Sequence, residues 1–295
     1  METILKVSNL TKRFSDFALQ DVSLSLPGGA IMGMIGENGA GKTTMIRLIL
    51  GLMKRDAGEV SLFGNPEGIK DAGIREQIGV VFDDCRFHCT FNAMEVGKIH
   101  KNMYPHWDGE YYRHLCSRFF LPEKKKIKDY SKGMKMKLSI AAALSHHPKL
   151  LLLDEPTSGL DPVARDDLLE IFQDFISDEE HSIVFSSHIT SDLEKIADYI
   201  AFLKKGKLCF SLEKEELRES FSLLQCGEEL LRWEPLKEKT AGIRKGRFGC
   251  EALLRCGAAE AKKLLAQEGK GGEITAVVEI PSLEDIMLLY EGGLN

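Results

Sequence analysis

The sequence predicts an α/β fold: a layered core of alternating strands and helices, with N-terminal strands, a mainly helical lobe and a small α+β C-terminal appendage. Three observations predict it. Short apolar runs recur at residues 30–35, 79–82, 150–153 and 182–186, each the length of a buried strand. Helical patterns lie between them, at residues 43–52, about 90–144 and 165–176. The chain has 295 residues, 43% of them hydrophobic, which allows one large domain with a lesser one beside it.

The elements follow in order. Ile4-Leu5-Lys6-Val7 and Val22-Ser23-Leu24-Ser25-Leu26 read as strands, and Pro27-Gly28-Gly29 turns the chain. The run at 30–35 ends at Gly36, and the helix at 43–52 is closed by Gly51. Val60-Ser61-Leu62-Phe63 is a strand ending in the turn Gly64-Asn65. His106-Trp107-Asp108-Gly109 interrupts the helical region. A helix is expected at 192–199, then a hairpin of 200–203 and 207–210 over Lys205-Gly206. Past Ser211 the character changes. Residues 212–221 read as a charged helix, 234–249 are polar and poor in pattern, 258–268 and 282–290 are helical, and 274–280 is a strand. The expected domains are 1–215, with the helical lobe at about 88–145, and 216–295.

Composition excludes several classes. A net charge of −6 argues against nucleic acid as a partner. Seven cysteines are an odd count without a disulfide framework, which suits a reducing compartment. Cys85 and Cys89 have no second ligand pair at zinc-site spacing. Lys124-Lys125-Lys126 reads as a solvated loop, and His146 and His147 as surface or helix-end residues. No signal peptide is evident, and no run approaches the ~18 apolar residues of a membrane span. Any membrane role therefore comes through a partner.

Chemistry concentrates in two places. Gly36-Glu37-Asn38-Gly39-Ala40-Gly41-Lys42-Thr43 fits G-x-x-x-x-G-K-[ST], follows a buried strand and opens a helix. Glycines let the backbone N–H groups curl inward around phosphates, and the helix N-terminus adds partial positive charge. The loop residues Gly36, Asn38, Gly39, Ala40 and Gly41 would cradle the nucleotide. Lys42 would reach the β- and γ-phosphates, the Thr43 hydroxyl would ligate Mg²⁺, and Thr44 would touch the α-phosphate. The second place is Leu150-Leu151-Leu152-Leu153-Asp154-Glu155, an apolar strand delivering two acids to a sheet edge. Asp154 would hold Mg²⁺, and Glu155 would polarise the attacking water as general base.

From here the chain resembles one family, the ABC transporter ATPases, over residues 1 to about 215. Tyr130-Ser131-Lys132-Gly133-Met134 stands where that family carries L-S-G-G-Q, and Ser131 and Gly133 match it. Pro156-Thr157-Ser158-Gly159-Leu160-Asp161 resembles the D-loop, so Asp161 would serve the dimer interface as well as cap a helix. His188, in Ser186-Ser187-His188, resembles the histidine that touches the γ-phosphate, and Phe14 the aromatic that stacks on adenine. The resemblance implies a P-loop NTPase core with an N-terminal antiparallel β subdomain, ATP and Mg²⁺ as cofactors, and a dimer in which Ser131 clamps the ATP held by its partner. It leaves open a homodimer or a heterodimer with a second ATPase subunit.

The resemblance also implies a separate transmembrane permease, coupled near residues 83–91, with the ATPase peripheral on the cytoplasmic face. Pro281-Ser282-Leu283-Glu284-Asp285-Ile286 resembles the ends of ATPases serving ABC-2-type exporters. One position departs: where the family has a glutamine ligand to Mg²⁺, this chain has Asp83-Asp84, and the role passes to Asp83 as a hard oxygen. Asp83, Lys132 and Met134 leave room for a slow regulatory or non-transport ABC ATPase as the alternative.

Overall fold

In a computed structural model, which describes residues 2–177, 179–246, 249–268 and 276–291, the chain divides into two compact units, Met1–Ser211 and Leu212–Asn295. The first begins with β1 (Thr3–Arg13), β2 (Ala18–Pro27), β3 (Ile31–Ile35), α1 (Lys42–Ile49), β4 (Ala57–Leu62), α2 (Ala72–Glu76) and β5 (Ile78–Val81). Then come α3 (Ala93–Met103), α4 (Gly109–Arg118), α5 (Lys132–Leu144), β6 (Leu150–Asp154), α6 (Pro162–Phe175), β7 (Ser182–Ser187), α7 (Thr190–Ile196), β8 (Tyr199–Lys204) and β9 (Lys207–Glu213).

β1 lies between β2 and β4, antiparallel to both. The central sheet runs β5-β6-β7-β3-β8-β9. Its strands from β5 to β8 are parallel to their neighbours. Every residue of β3, β6 and β7 is buried, which is why these strands read as unbroken apolar or small-residue runs and not as alternations. Register aligns their carboxyl ends: Val81 beside Leu153, Asp154 beside Ser186, and Ile35 beside Ser187. Four loops, beginning at Phe82, Glu155, His188 and Gly36, therefore leave one edge of the sheet together.

The helical lobe is built from capped pieces. Asn92 and Glu95 close a reciprocal capping box on α3, and the Asp108 carboxylate accepts the Glu110 and Tyr111 N–H groups at the start of α4. Ser131 caps α5, whose later turns bury Leu138, Ile140 and the stretch 141–144. The end of α5 places His146 at a helix end, as expected, and overturns the surface reading. His146 is buried, not superficial. Its Nε2 lies 3.3 Å from the Ile78 carbonyl, its ring stacks on Tyr104 at 4.1 Å, and burial pushes its pKa down to about 4. The apolar end of α5 lands on β5 and carries the imidazole inside. His147 remains exposed, beside Tyr111 and Asp108.

The expected helix at 192–199 starts earlier and stops earlier. Asp198 ends it by bonding across to β3: its N–H donates to the Ile31 carbonyl and its carboxylate accepts the Ile31 N–H. β8 then begins at Tyr199.

The second unit carries α8 (Lys214–Ser220), β10 (Ser222–Cys226), α9 (Glu234–Lys239), β11 (Thr240–Gly246), β12 (Gly249–Leu254), α10 (Ala258–Glu268), β13 (Val277–Glu279) and α11 (Leu283–Glu291). Its sheet runs β11-β12-β10-β13, with every pair antiparallel. Here the reading needs correction. The helix expected at 212–221 is shorter, because β9 runs through Glu213 and β10 starts at Ser222. The patternless stretch 234–249 holds α9 and β11. β11 is an edge strand whose outer half, from Arg244, is exposed, so burial left no alternation to read. Of the strand expected at 274–280, residues 274 and 275 lie outside the described residues.

Candidate active site

The loop from Gly36 to Gly41 joins β3 to α1. Backbone geometry demands its glycines at two places. At Gly36 a Cβ would stand 2.3 Å from the Leu203 carbonyl oxygen, and at Gly41 φ is +114°, a left-handed value. No side chain caps α1, unlike α3, α4, α5 and α6, and no acid occupies its first turn. Its leading N–H groups are thereby left for an anion. The loop is braced from behind: the Gly206 N–H donates to the Ala40 carbonyl, and the Gly206 carbonyl accepts the Gln20 N–H.

Lys42 is 5% exposed. Its Nζ donates to the Gly36 carbonyl at 2.6 Å and the Glu37 carbonyl at 3.3 Å, and lies 3.2 Å from Glu155 Oε1. The ammonium is thus held at the centre of the loop by its own backbone. Thr43 and Thr44 follow in the first turn of α1, both half-buried.

Asp154 ends β6 fully buried. Ser186 Oγ donates to its Oδ1 at 2.7 Å, while Oδ2 meets no hydrogen-bond partner. Burial pushes this carboxyl's pKa up. The Ser186 and Thr43 hydroxyls favour the ionised form, and the charges of Asp83 and Glu155 oppose it. A buried carboxylate with one orphaned oxygen, a hydroxyl beside it and a second carboxylate nearby is the donor set of a hard divalent cation. Asp83 itself is exposed, on the loop after β5.

Glu155 adopts φ +51°, a value unusual outside glycine. Its N–H donates to the carbonyl and, at 3.2 Å, to the hydroxyl of Ser186, which hold that conformation. The side chain turns back over the sheet edge between two nitrogens: Lys42 Nζ at Oε1 and His188 Nδ1 at 2.7 Å from Oε2. Lys42, Glu155 and His188 are therefore brought together, with Asp154 and Thr43 beside them.

The other expected residues lie elsewhere in the unit. Ser131 is exposed at the N-terminus of α5, and its hydroxyl accepts the Met134 N–H at 3.2 Å. Next to it, a Cβ on Gly133 would touch Leu160, and the Lys132 ammonium reaches the Ser158 hydroxyl at 3.4 Å. The signature segment thus packs on the loop that follows Glu155. Asp161 caps α6 by accepting the Ala164 N–H, which holds its pKa below the usual carboxylate range. Phe14 is 42% exposed, its ring 6.0 Å from that of Phe17 with the Lys12 ammonium 5.9 Å above it.

Two contributors escaped the sequence. Ser186, inside a run read only for its histidine, supports both acids; a hydroxyl at the end of an otherwise apolar buried strand was the available signal. Phe17 packs its ring edge against Gly41 and Gly206, with ring carbons 3.1 and 3.2 Å from the Cβ each would carry. Nothing in the local pattern marked it.

Comparison with known proteins identifies the family. The ABC transporter family model matches residues 19–158. The chain is 35% identical over 207 residues to the ABC transporter ATP-binding protein YtrB of Bacillus subtilis, covering 70% of each. It is 34% identical over 225 residues to the lantibiotic transport ATP-binding protein SrtF of Streptococcus pyogenes, covering 74% of this chain and 96% of that one. To the bacitracin transport ATP-binding protein BcrA of Bacillus licheniformis it is 32% identical, covering 74% and 72%. A solved ATP-binding subunit of an ABC transporter superposes with a TM-score of 0.67 at 28% identity, over 73% of this chain and 92% of that one. The glycine loop, the two acids at the strand end and this kinship agree: the chain belongs to the ABC transporter family, as an ATP-hydrolysing, ATP-binding subunit.

Proposed function

We propose that this subunit binds MgATP between two ATPase subunits and uses its hydrolysis to drive export through a separate ABC-2-type permease, from a peripheral position on the cytoplasmic face. The observation that carries the catalytic part is the Lys42–Glu155–His188 constellation at the carboxyl edge of the sheet. Glu155 is the general base. Its Oε2 is held by the His188 imidazole, so the carboxylate is aimed when a water approaches, and it accepts that water's proton. Lys42, fixed by loop carbonyls, supplies positive charge to the phosphates, and the uncapped start of α1 supplies N–H donors. Phe14, half-exposed, stacks on the base.

Asp154 Oδ2, Thr43 and Asp83 would hold Mg²⁺. The cation would neutralise charge on the phosphates and give the orphaned Asp154 oxygen a partner. The exposed Ser131 hydroxyl fits a phosphate held by a second subunit, Gly133 keeps the chain close to Leu160 beside it, and exposed Asp161 follows Leu160. Two relatives, BcrA and SrtF, are named for bacitracin and lantibiotic transport, which supports export of a peptide-like or amphiphilic compound here.

The test is Glu155→Gln. ATP binding should persist, turnover should fall by about a hundredfold or more, a scale set by losing a positioned base, and the dimer should become stable in ATP. Normal turnover in that variant would remove Glu155 from the role. Chelation of divalent cations should abolish hydrolysis as well; hydrolysis that continues in excess chelator would remove Mg²⁺ from the proposal.

A further inference from the structure

Beneath the site, two buried polar side chains and one partly buried meet that the chemistry does not use. Asp192, on α7, is 1% exposed. Thr157, two residues after Glu155, is fully buried. Arg165, on α6, brings its Nη1 to 3.8 Å from Asp192 Oδ1. Thr157 Oγ1, Arg165 Nε and Asp192 Oδ2 are all buried and lack hydrogen-bond partners. Burial pushes the Asp192 carboxyl's pKa up, while the nearby Thr157 hydroxyl and the Arg165 and Lys195 charges pull it back and Asp166 opposes them.

The location gives this cluster its meaning. His188 is 44% exposed, so packing does not fix its ring; the contacts holding it are with Glu155. Its backbone hangs between the end of β7 and the start of α7. The base likewise sits just before Thr157. The Asp192 carboxylate, carried by the helix that follows His188, therefore faces Arg165 on α6 and lies beside Thr157 in the segment that carries Glu155. Buried charged and polar groups are a poor source of stability, since apolar residues of like volume often serve the fold as well or better. What such a group supplies is a fixed relation between the segments it faces.

We infer that Asp192, lying against Thr157 and Arg165, is a positioning residue that sets His188 against Glu155. It touches neither nucleotide nor water; it acts through the two residues that do. The inference rests on the proposed roles of Glu155 and His188 and adds a residue to them.

Purified full-length protein should be measured as Asp192→Asn, His188→Ala and the double variant. Asp192→Asn keeps size and a carbonyl acceptor while removing the charge. The expected result is a kcat for ATP hydrolysis reduced about tenfold, within the range produced by small displacements of catalytic groups, with KM for ATP unchanged. In the His188→Ala background the same substitution should change kcat by less than about twofold, because a residue that acts through His188 has nothing left to position. An unchanged kcat, additive losses in the double variant, or a parallel fall in ATP affinity would overturn the inference. Should His188→Ala by itself leave kcat intact, the proposed role of His188 fails, and this inference with it. If Asp192→Asn folds poorly, Arg165→Gln gives a second approach with the same expected pattern, and additivity there would also count against it.

Discussion

At Asp154 the fold buries a carboxylate and satisfies half of it. Because burial raises the folded-state pKa above that of the unfolded chain, the sign of the linkage is fixed. Below the unfolded carboxylate range the residue is protonated in both states and costs nothing. As pH rises through the folded value the ionised form becomes progressively destabilising, and above it the cost is constant. Asp154→Asn should therefore raise the thermal midpoint at pH 7, and the gain should shrink toward zero as pH falls below about 4, while turnover is lost. Stability given up at a working residue is a common pattern. Lys42 and Asp154 were legible from sequence because their spacing and strand context are themselves the signal. Ser186 and Phe17 were not, since their importance is a matter of which neighbours they touch. Gly36 offers a second test. Gly36→Ala places a methyl against the Leu203 carbonyl, so it should lower stability by roughly 1–3 kcal/mol in denaturant titration and weaken ATP binding measured by calorimetry.

Helices in the lobe are held by side-chain caps. The Asn92–Glu95 box on α3 is one, and Asn92→Ala should cost about 1 kcal/mol by chemical denaturation without altering ATP affinity. An ion pair links α4 to α6, with Arg118 donating to Asp167 through Nε and Nη2 at 3.0 and 2.7 Å. Both side chains are about one-third exposed, so Arg118→Ala should cost only about 0.5–1 kcal/mol. Strands were read well wherever burial was two-sided, as in β3 and β6. The failures share one cause: β11 is exposed along its outer half, and α9 is a six-residue helix with a proline in its first turn. Neither buries enough of a face to leave a period in the sequence. His146 misled for the complementary reason, a polar residue carried inside by an apolar helix end.

At the level of the whole chain, the boundary lies at Ser211 and Leu212, and every residue of the proposed site precedes it. The second unit has its own core, in which Leu224, Leu236, Ala252 and Leu254 are fully buried. A fragment ending at residue 211 should therefore fold and bind ATP with an affinity within about fivefold of the full chain, a difference of under about 1 kcal/mol. Titration calorimetry on the fragment checks this, and an unfolded fragment would contradict it. The turn at Lys205-Gly206 has a further consequence. Through its two backbone bonds, one to Ala40 and one to Gln20, it joins the glycine loop to the strand that follows Phe17. The surfaces proposed for the base and for the phosphates are therefore gauged against each other by one rigid spacer. A side chain at Gly206, whose Cβ would run into the Ala18 carbonyl, would therefore disturb both at once.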